Sequence, residues 1–509
     1  MTTPTLAASA PPPLSLVALP AGLLLVGVFC EFRVMPDADV TWLLTVARQM
    51  SHGARLYSRD IVEINPPLVM YLGQAAMQAG QLAGLDAVAA WRLAVLACLS
   101  IACVLALPML TRLAGPEGRA SAAPMSVLFA AVIACLPGSS FGQREHLIVI
   151  WLAPYVLCAA LRVRGAAVGR LTGSLVGVAL ACAVAIKPHY LVVVALVELG
   201  LLVARRRLDD VMRPEVVVAA LCGTALGVFT LVNHPTYVSA GLRLATEYYP
   251  DYGAGGVVWG RLMYLAMPVA VLAFAESRGV SSPLCRMCTL AAVGCGIASV
   301  AQGKGWSYQF LPMQSFLVLA TGAGCLAVAD AALPRVLPSP RSRTRAFVAV
   351  AVVLVLVVGG LAERRTRRII AGPRQRTASA LLSMLERAQP ATSPRSLSGL
   401  TLDLFPAFPV SELFHADWAS RFSCLWTIPA IEARERAGGA GATPERSGRA
   451  DLEAAVVADL VERRPTFVIV EEHRSRVLDE IVALPGAQAA LCAYDRIGTV
   501  DTFQVWKRR

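Results

Sequence analysis

Charge is the first thing this chain has little of. Asp, Glu, Lys and Arg make up 16% of its 509 residues, against about a quarter in ordinary globular chains. The hydrophobic fraction is 56% and the mean hydropathy +0.60. That much apolar surface exceeds what a soluble core buries, which excludes a string of soluble domains and marks a polytopic membrane protein. Lysine is almost missing: of 46 basic residues only Lys187, Lys304 and Lys507 are lysines. A lysine placed in a short loop therefore stands out. The net charge of +12 does not indicate nucleic acid. The basic residues fall in short clusters between apolar runs, as topology signals do, and not along one helix face.

A disulfide framework is absent too. Eleven of the thirteen cysteines, Cys30 to Cys325, lie in or beside apolar runs, where Cys behaves as a small hydrophobe. Cys285 and Cys288 form a CxxC with no second pair or nearby His to complete a zinc site. Cys424 and Cys492, in the polar C-terminal region, are free to pair if that region is extracytoplasmic. Gly438-Gly439-Ala440-Gly441 lacks the GK[ST] ending of a phosphate loop and reads as a surface loop. No repeat of 20–50 residues and no inverted half-repeat is visible.

What is present is a series of apolar runs: Leu14–Cys30, Ala87–Leu110, Ala122–Pro137, His146–Leu161, Leu171–Ile186, Tyr190–Ala204, Glu215–Asn233, Arg261–Ala275, Leu284–Val300, Phe310–Ala329 and Ala346–Leu361. The expected fold is mainly α, with about eleven transmembrane helices, interfacial helices in the first outer loop and a small C-terminal α/β domain. The first run has no basic n-region and no A-x-A site, so it reads as a retained helix. Fifteen arginines fall in the loops of one side, against eight basic residues on the other up to residue 308. The richer side is expected to be cytoplasmic, with residues 31–86 outside. The arginines between Arg364 and Arg376 run against this rule. Residues 1–372 are expected to form the membrane domain and 373–509 a soluble domain outside. Within the latter, Leu400–Phe405, Thr466–Val470 and Thr499–Trp506 read as strands and Asp451–Arg463 as an amphipathic helix.

The first outer loop is the most informative segment. It holds Asp37, Asp39, Trp42, Ala47-Arg48, Gly53, Tyr57, Asp60, Glu63 and Pro66-Pro67. A helix can start after Asp39, which would cap it, and the proline pair opens a second interfacial helix, Leu68–Gln78. By spacing alone the four acidic residues serve as caps and loop solvation. Farther on, Phe141-Gly142-Gln143-Arg144-Glu145-His146 lies between spans, Lys187-Pro188-His189 joins two spans almost without a loop, and Lys304-Gly305-Trp306-Ser307-Tyr308 precedes another. Interface anchoring accounts for Arg144 and Glu145 as well as a site does. Two of three lysines at the outer face suit phosphate contact, since anchoring alone is served equally by Arg. His52, His146, His189 and His234 are also near that face and match no HxxxH or HExxH spacing.

Asp39, Trp42, Ala47, Arg48, Gly53, Pro66 and Pro67, with Tyr57 to Asp60 one residue longer than the pattern, stand in a register that resembles the GT-C superfamily of membrane glycosyltransferases, in the branch of protein O-mannosyltransferases and lipid A aminoarabinose transferases. The likeness covers roughly residues 30–330. Where that branch has an acidic residue directly after its catalytic Asp, this chain has Val40. The resemblance implies a polyprenyl-phosphate sugar donor, a lipid, glycan or protein acceptor, inversion at the anomeric carbon, and a site facing the periplasm from a bacterial inner membrane. It implies Asp39 as catalytic base and Glu145 as a second catalytic acidic residue, orienting the acceptor or binding a divalent metal. Asp37, Tyr57, Asp60, Glu63, Arg144, Lys187, His189, Lys304, Trp306 and Tyr308 are then the expected substrate contacts. Two other readings remain at this stage: a transporter or flippase of a lipid-linked saccharide, and a non-catalytic envelope-assembly subunit. A transporter keeps its polar groups near mid-bilayer, often in repeated halves; here they cluster at span ends.

Overall fold

Proline and glycine decide where the apolar helices break in the computed structural model, which describes residues 14–114, 121–207, 212–252, 260–389, 393–438 and 448–509. In chain order these hold α1 (Leu14–Phe32), α2 (Ala38–Ser51), α3 (Leu68–Leu82), α4 (Ala87–Ala114), α5 (Ala122–Ala130), α6 (Arg144–Val163), α7 (Arg170–Ile186), α8 (Leu191–Arg205) and α9 (Pro214–Asn233). Then follow α10 (Arg243–Tyr248), α11 (Ala266–Ser277), α12 (Pro283–Ala301), α13 (Leu311–Val336) and α14 (Pro340–Ile370). Among the described residues seven helices are long and apolar enough to cross a membrane, and Leu16–Phe32, Ala122–Cys135 and Arg170–Ile186 are shorter apolar helices. The run Arg261–Ala275, expected as a further span, forms a 3-10 turn and the 12-residue α11. The chain is a multi-pass membrane protein.

α6 is the central helix. It is buried from Arg144 to Leu161 apart from Trp151 and packs against α4, α7, α8, α12 and α13. α9 and α14 turn apolar side chains such as Leu221 and Leu356 outward, as lipid-facing helices do. Two of the arginines at the end of α14 that ran against the charge rule, Arg365 and Arg367, make contacts. Arg365 donates to the carbonyls of Leu136 (2.9 Å) and Pro137 (3.3 Å), and Glu363 receives Arg33 (2.6 Å) and Arg367 (2.7 Å). At the opposite end Arg162 and Glu215 pair at 3.1 Å and Arg213 pairs with Glu198 at 2.5 Å.

The C-terminal region contributes α15 (Pro373–Ala388), β1 (Ser396–Leu400), α16 (Ala407–Leu413), β2 (Asp417–Trp418), α17 (Ile428–Gly438), α18 (Arg449–Arg463), β3 (Phe467–Glu471), α19 (Arg476–Ala483), α20 (Pro485–Leu491), β4 (Tyr494–Val500) and β5 (Phe503–Arg508). Its sheet has the order β2-β1-β3-β5-β4. β1 is parallel to β2 and β3, and β5 is antiparallel to β3 and β4. Two strand expectations change. The strand expected over Leu400–Phe405 ends at Leu400, because Glu471 Oε2 takes the Leu402 N–H (2.9 Å) and the Thr401 hydroxyl bonds the Asp403 carbonyl (2.8 Å). Thr499–Trp506 is a hairpin instead of one strand, since Asp501 turns the chain at φ 52°. Cys424 is buried, Cys492 exposed, and neither forms a disulfide. Gly439–Gly441 of the expected surface loop lie outside the described residues.

This region docks on the loop that follows α1, residues 31–86. Arg48 and Glu412 pair at 2.5 Å, Gln49 Nε2 donates to the Trp418 carbonyl at 3.0 Å, and the Val62 N–H donates to the Arg421 carbonyl at 2.8 Å. The Trp42 and Phe408 rings meet edge-on at 5.4 Å. Residues 31–86 and the C-terminal region are therefore on one side. Glu412 is buried with its Oε2 unpaired among the described residues, so Arg48 is what balances its charge. Replacing one partner of a buried pair leaves an uncompensated charge, a cost of about 3 kcal/mol. Arg48→Ala is expected to lower the thermal unfolding midpoint and expose the linker around residue 390 to protease, whereas the double change Arg48→Met, Glu412→Gln recovers most of the loss. Equal stability of wild type and Arg48→Ala would remove this pair from the interface.

Candidate functional site

Four corners of the chain deliver the charged groups. At the first, the helix expected to be capped by Asp39 is capped by Asp37: it has extended φ/ψ of −64° and 146°, and its Oδ1 accepts the Asp39 N–H at 2.8 Å. Asp39 moves into the first turn, which leaves its carboxylate for contacts across the site. At the second, Gly142 has φ +77°, and a Cβ there would lie 2.7 Å from Trp91 Nε1, so only glycine fits. The turn starts α6 at Arg144 and sets Arg144 and Glu145 in its first turn. At the third, Pro188 disfavours helical geometry in the residue before it; Lys187 is extended (φ −146°, ψ 95°), between α7 and the turn preceding α8. At the fourth, Gly303 (φ +66°) and Gly305 (φ +68°) flank Lys304.

The four corners meet. Arg144 Nη2 lies 3.3 Å from Asp39 Oδ1, with 8% and 20% of the two side chains exposed. Lys187 Nζ donates to Glu145 Oε1 and, at 3.0 Å, to Gln302 Oε1. The Glu145 side chain is fully buried. Gln309 Nε2 donates to the same Gln302 oxygen at 3.1 Å, and Gln302 Nε2 donates to the Ala298 carbonyl at 3.1 Å. Lys304 Nζ sits 3.4 Å above the Tyr249 ring centroid and 4.9 Å from that of Trp306. Among the described residues no carboxylate comes within ion-pair distance of it. The Trp306 and Tyr308 rings are 5.8 Å apart.

Three cations thus face two carboxylates, leaving one positive charge uncompensated. Several buried polar atoms here have no partner among the described residues: Arg144 Nη1, Glu145 Oε2, Gln143 Oε1, Gln309 Oε1 and His189 Nε2. Buried polar atoms in proteins are nearly always bonded, so this set fits a polar ligand. Burial pushes the Asp39 carboxyl up; Glu145 adds to the rise, and Arg144, Lys187 and Lys304 oppose it. Burial pushes Lys187 down against the pull of Glu145. Lys304 is driven well below the usual lysine range by burial and then by Lys187 and Arg144.

Asp37, Tyr57, Asp60 and Glu63 lie beside this cluster and bond mainly to groups of the first loop and its neighbours. Asp37 Oδ1 also receives Gln143 Nε2 at 2.6 Å. Glu63 accepts Trp42 Nε1 (2.7 Å) on one oxygen and the Ile64 and Asn65 N–H groups (2.8 and 2.9 Å) on the other. Tyr57 is buried at φ 57° and donates to the Asn65 carbonyl at 2.5 Å, and Asp60 accepts the Arg55 N–H at 3.0 Å. The histidines do not gather. His146 bonds the Gly142 N–H and the Ile133 carbonyl, His234 bonds the Tyr71 hydroxyl, and His52 ends α2 in solvent. Among the described residues no three His, Cys, Asp or Glu side chains form a metal-binding group. Sequence reasoning missed Gln302 and Gln309; their only signal was an amide on either side of the Lys304 loop.

Two solved structures of one protein share this fold. ArnT from Cupriavidus metallidurans bound to undecaprenyl phosphate superposes with a TM-score of 0.58 at 14% identity, over 96% of this chain and 97% of that one. Its apo state gives 0.59 at 13% identity over the same shares. The oligosaccharyltransferase of Archaeoglobus fulgidus, in a complex with Zn and sulfate, gives 0.46 at 13% identity over 96% of this chain and 73% of that one. No protein-family model and no curated protein matches the chain. The fold is the GT-C fold of ArnT.

Burial and the charge of Asp39 raise the Asp37 carboxyl from 3.8 to about 7. A raised folded-state pKa contributes stability at low pH that is lost as pH rises through it. Asn caps a helix as well as Asp and does not ionise. Between pH ~5 and ~8 the wild type should therefore lose more thermal stability than Asp37→Asn, by about 2–4 °C in midpoint. Parallel pH profiles for the two proteins would contradict the buried-cap assignment.

Proposed function

We propose that the chain is a membrane glycosyltransferase that moves a sugar from a polyprenyl-phosphate donor to an acceptor hydroxyl at the outer face of the bacterial inner membrane, with inversion. The observation that carries this reading is the meeting of Asp39, Arg144, Glu145, Lys187 and Lys304 at helix ends of one face, with one positive charge in excess. A donor phosphodiester brings one negative charge and matches it. As the acceptor oxygen bonds to the anomeric carbon, the bond from that carbon to the phosphate oxygen breaks. Asp39 takes the hydroxyl proton, and the leaving polyprenyl phosphate gains a second negative charge. Preorganised cations in a partly desolvated site stabilise that gain more than water does. Burial raises the Asp39 carboxyl above its ordinary range, which makes its carboxylate a stronger base. The free Glu145 oxygen is placed to orient the acceptor, and the undecaprenyl phosphate on ArnT supports a polyprenyl carrier here.

The lysines divide the work. Lys187 is fixed by Glu145 and Gln302, whereas Lys304 rests on two aromatic rings and can turn to an arriving phosphate.

Removing a general base costs about 10²–10⁴-fold in rate. In proteoliposomes Asp39→Asn should lose transfer on that scale while binding undecaprenyl phosphate as the wild type does, and near-normal transfer would exclude Asp39 as the base. Because burial and the neighbouring cations hold Lys304 below the usual lysine range in the free protein, an incoming phosphate should raise its pKa and draw protons from the buffer on binding. Calorimetry of undecaprenyl phosphate binding in two buffers of different ionisation heat should show that uptake, much reduced in Lys304→Met, together with about 10–100-fold weaker binding. Unchanged affinity and proton uptake in Lys304→Met would remove Lys304 from the phosphate site.

A further inference from the structure

A cavity of about 790 Å³ lies between the first outer loop, residues 239–248 and the C-terminal domain. Every lining residue is outside the helices apolar enough to span, so its occupant is water-soluble at this point and not an acyl chain. Tyr248, Phe422 and Trp426 offer aromatic faces to it. Its charges balance: Arg59, Arg243 and Arg421 against Glu63, Glu247 and Asp451. Arg421 is already engaged by Asp459 at 2.9 Å, Glu63 by Trp42, and Glu247 by Arg434 at 3.5 Å and Arg243 at 4.0 Å, so neither sign is in excess on the lining. A polyphosphorylated headgroup would select an excess of cations. A neutral saccharide instead stacks its C–H faces on aromatic rings and bonds its hydroxyls to groups of either sign.

The cavity reaches the charged cluster by two routes. Glu63 lines it and holds Trp42, one turn along α2 from Asp39. Trp426 lines it and packs 5.2 Å from Tyr249, the ring that carries Lys304. We infer that this cavity binds the acceptor, and that the acceptor is a neutral, hydroxyl-rich saccharide. The inference rests on the transferase reading above and narrows it from any hydroxyl-bearing acceptor to one chemical class.

Two arms test it with the full chain. Photoreactive benzoylphenylalanine placed at Arg243, on the rim, is irradiated in living cells and the adduct is analysed by mass spectrometry. An adduct of sugar units without phosphorus supports the inference; a phosphorylated glycolipid, a peptide or no adduct overturns it. In the second arm Ala455→Trp fills the cavity, and the readout is the envelope saccharide that differs between strains with and without the gene. Overpacking a binding cavity should cut this product about tenfold or more, with undecaprenyl phosphate affinity held within about twofold. Product at the wild-type level overturns the inference. If Ala455→Trp loses undecaprenyl phosphate binding as well, the variant is misfolded and the crosslinking arm alone decides. A wild type that binds no undecaprenyl phosphate, in cells whose envelope does not change on deletion, defeats the transferase reading itself.

Discussion

Gathering five ionisable groups, three of them buried and two half-buried, at the end of an apolar helix bundle is the constraint on which the rest of this structure depends. Desolvating an ion costs several kcal/mol unless it is paired and hydrogen-bonded. Glu145 is fully buried and tolerable because Lys187 meets it, with Gln302 accepting a second bond from the lysine and Gln309 donating to that same Gln302 oxygen. Asp39 is balanced by Arg144. Lys304, lacking a carboxylate partner among the described residues, is held by the faces of Tyr249 and Trp306, as a cation over an aromatic quadrupole is. The cluster is stable enough to exist and short of one negative charge.

Each member reaches the cluster through a local backbone cause. The turn at Gly142 sets Arg144 and Glu145 in the first turn of α6, Pro188 stops α7 at the residue before Lys187, paired glycines expose Lys304, and the Asp37 cap turns Asp39 inward. The C-terminal domain then closes over the first outer loop through Arg48–Glu412 and Trp42–Phe408. The aromatic chain from Trp426 through Tyr249 to Lys304 ties that domain to the charged site.

Much of this was legible in the sequence. Composition announced the membrane class, and the span-end positions of Arg144, Glu145, Lys187 and Lys304 marked one face. The resemblance to GT-C transferases anticipated the fold that ArnT shares. What the sequence hid was side-chain competition. Asp37 and Asp39 both sit where a cap is wanted, and only the backbone angles at Asp37 decide which one is spent there. Tyr57, Asp60 and Glu63 share the first loop with Asp39, yet they bond to nearby backbone and Trp42 and lie outside the charged cluster. The strand expected over Leu400–Phe405 failed for a similar reason, since the Glu471 carboxylate claims the Leu402 N–H. Gln302 and Gln309 were invisible because an amide near a span end is ordinary until a buried lysine points at it.

The central claim is that this cluster exists to hold a phosphate beside a base. The most direct measurement compares undecaprenyl phosphate with undecaprenol, the same chain ending in a neutral hydroxyl, for binding to the full protein in nanodiscs. A site short of one negative charge should favour the phosphate by about a hundredfold or more. Equal affinities for the two lipids would mean that the cations balance the protein's own carboxylates and hold no phosphate.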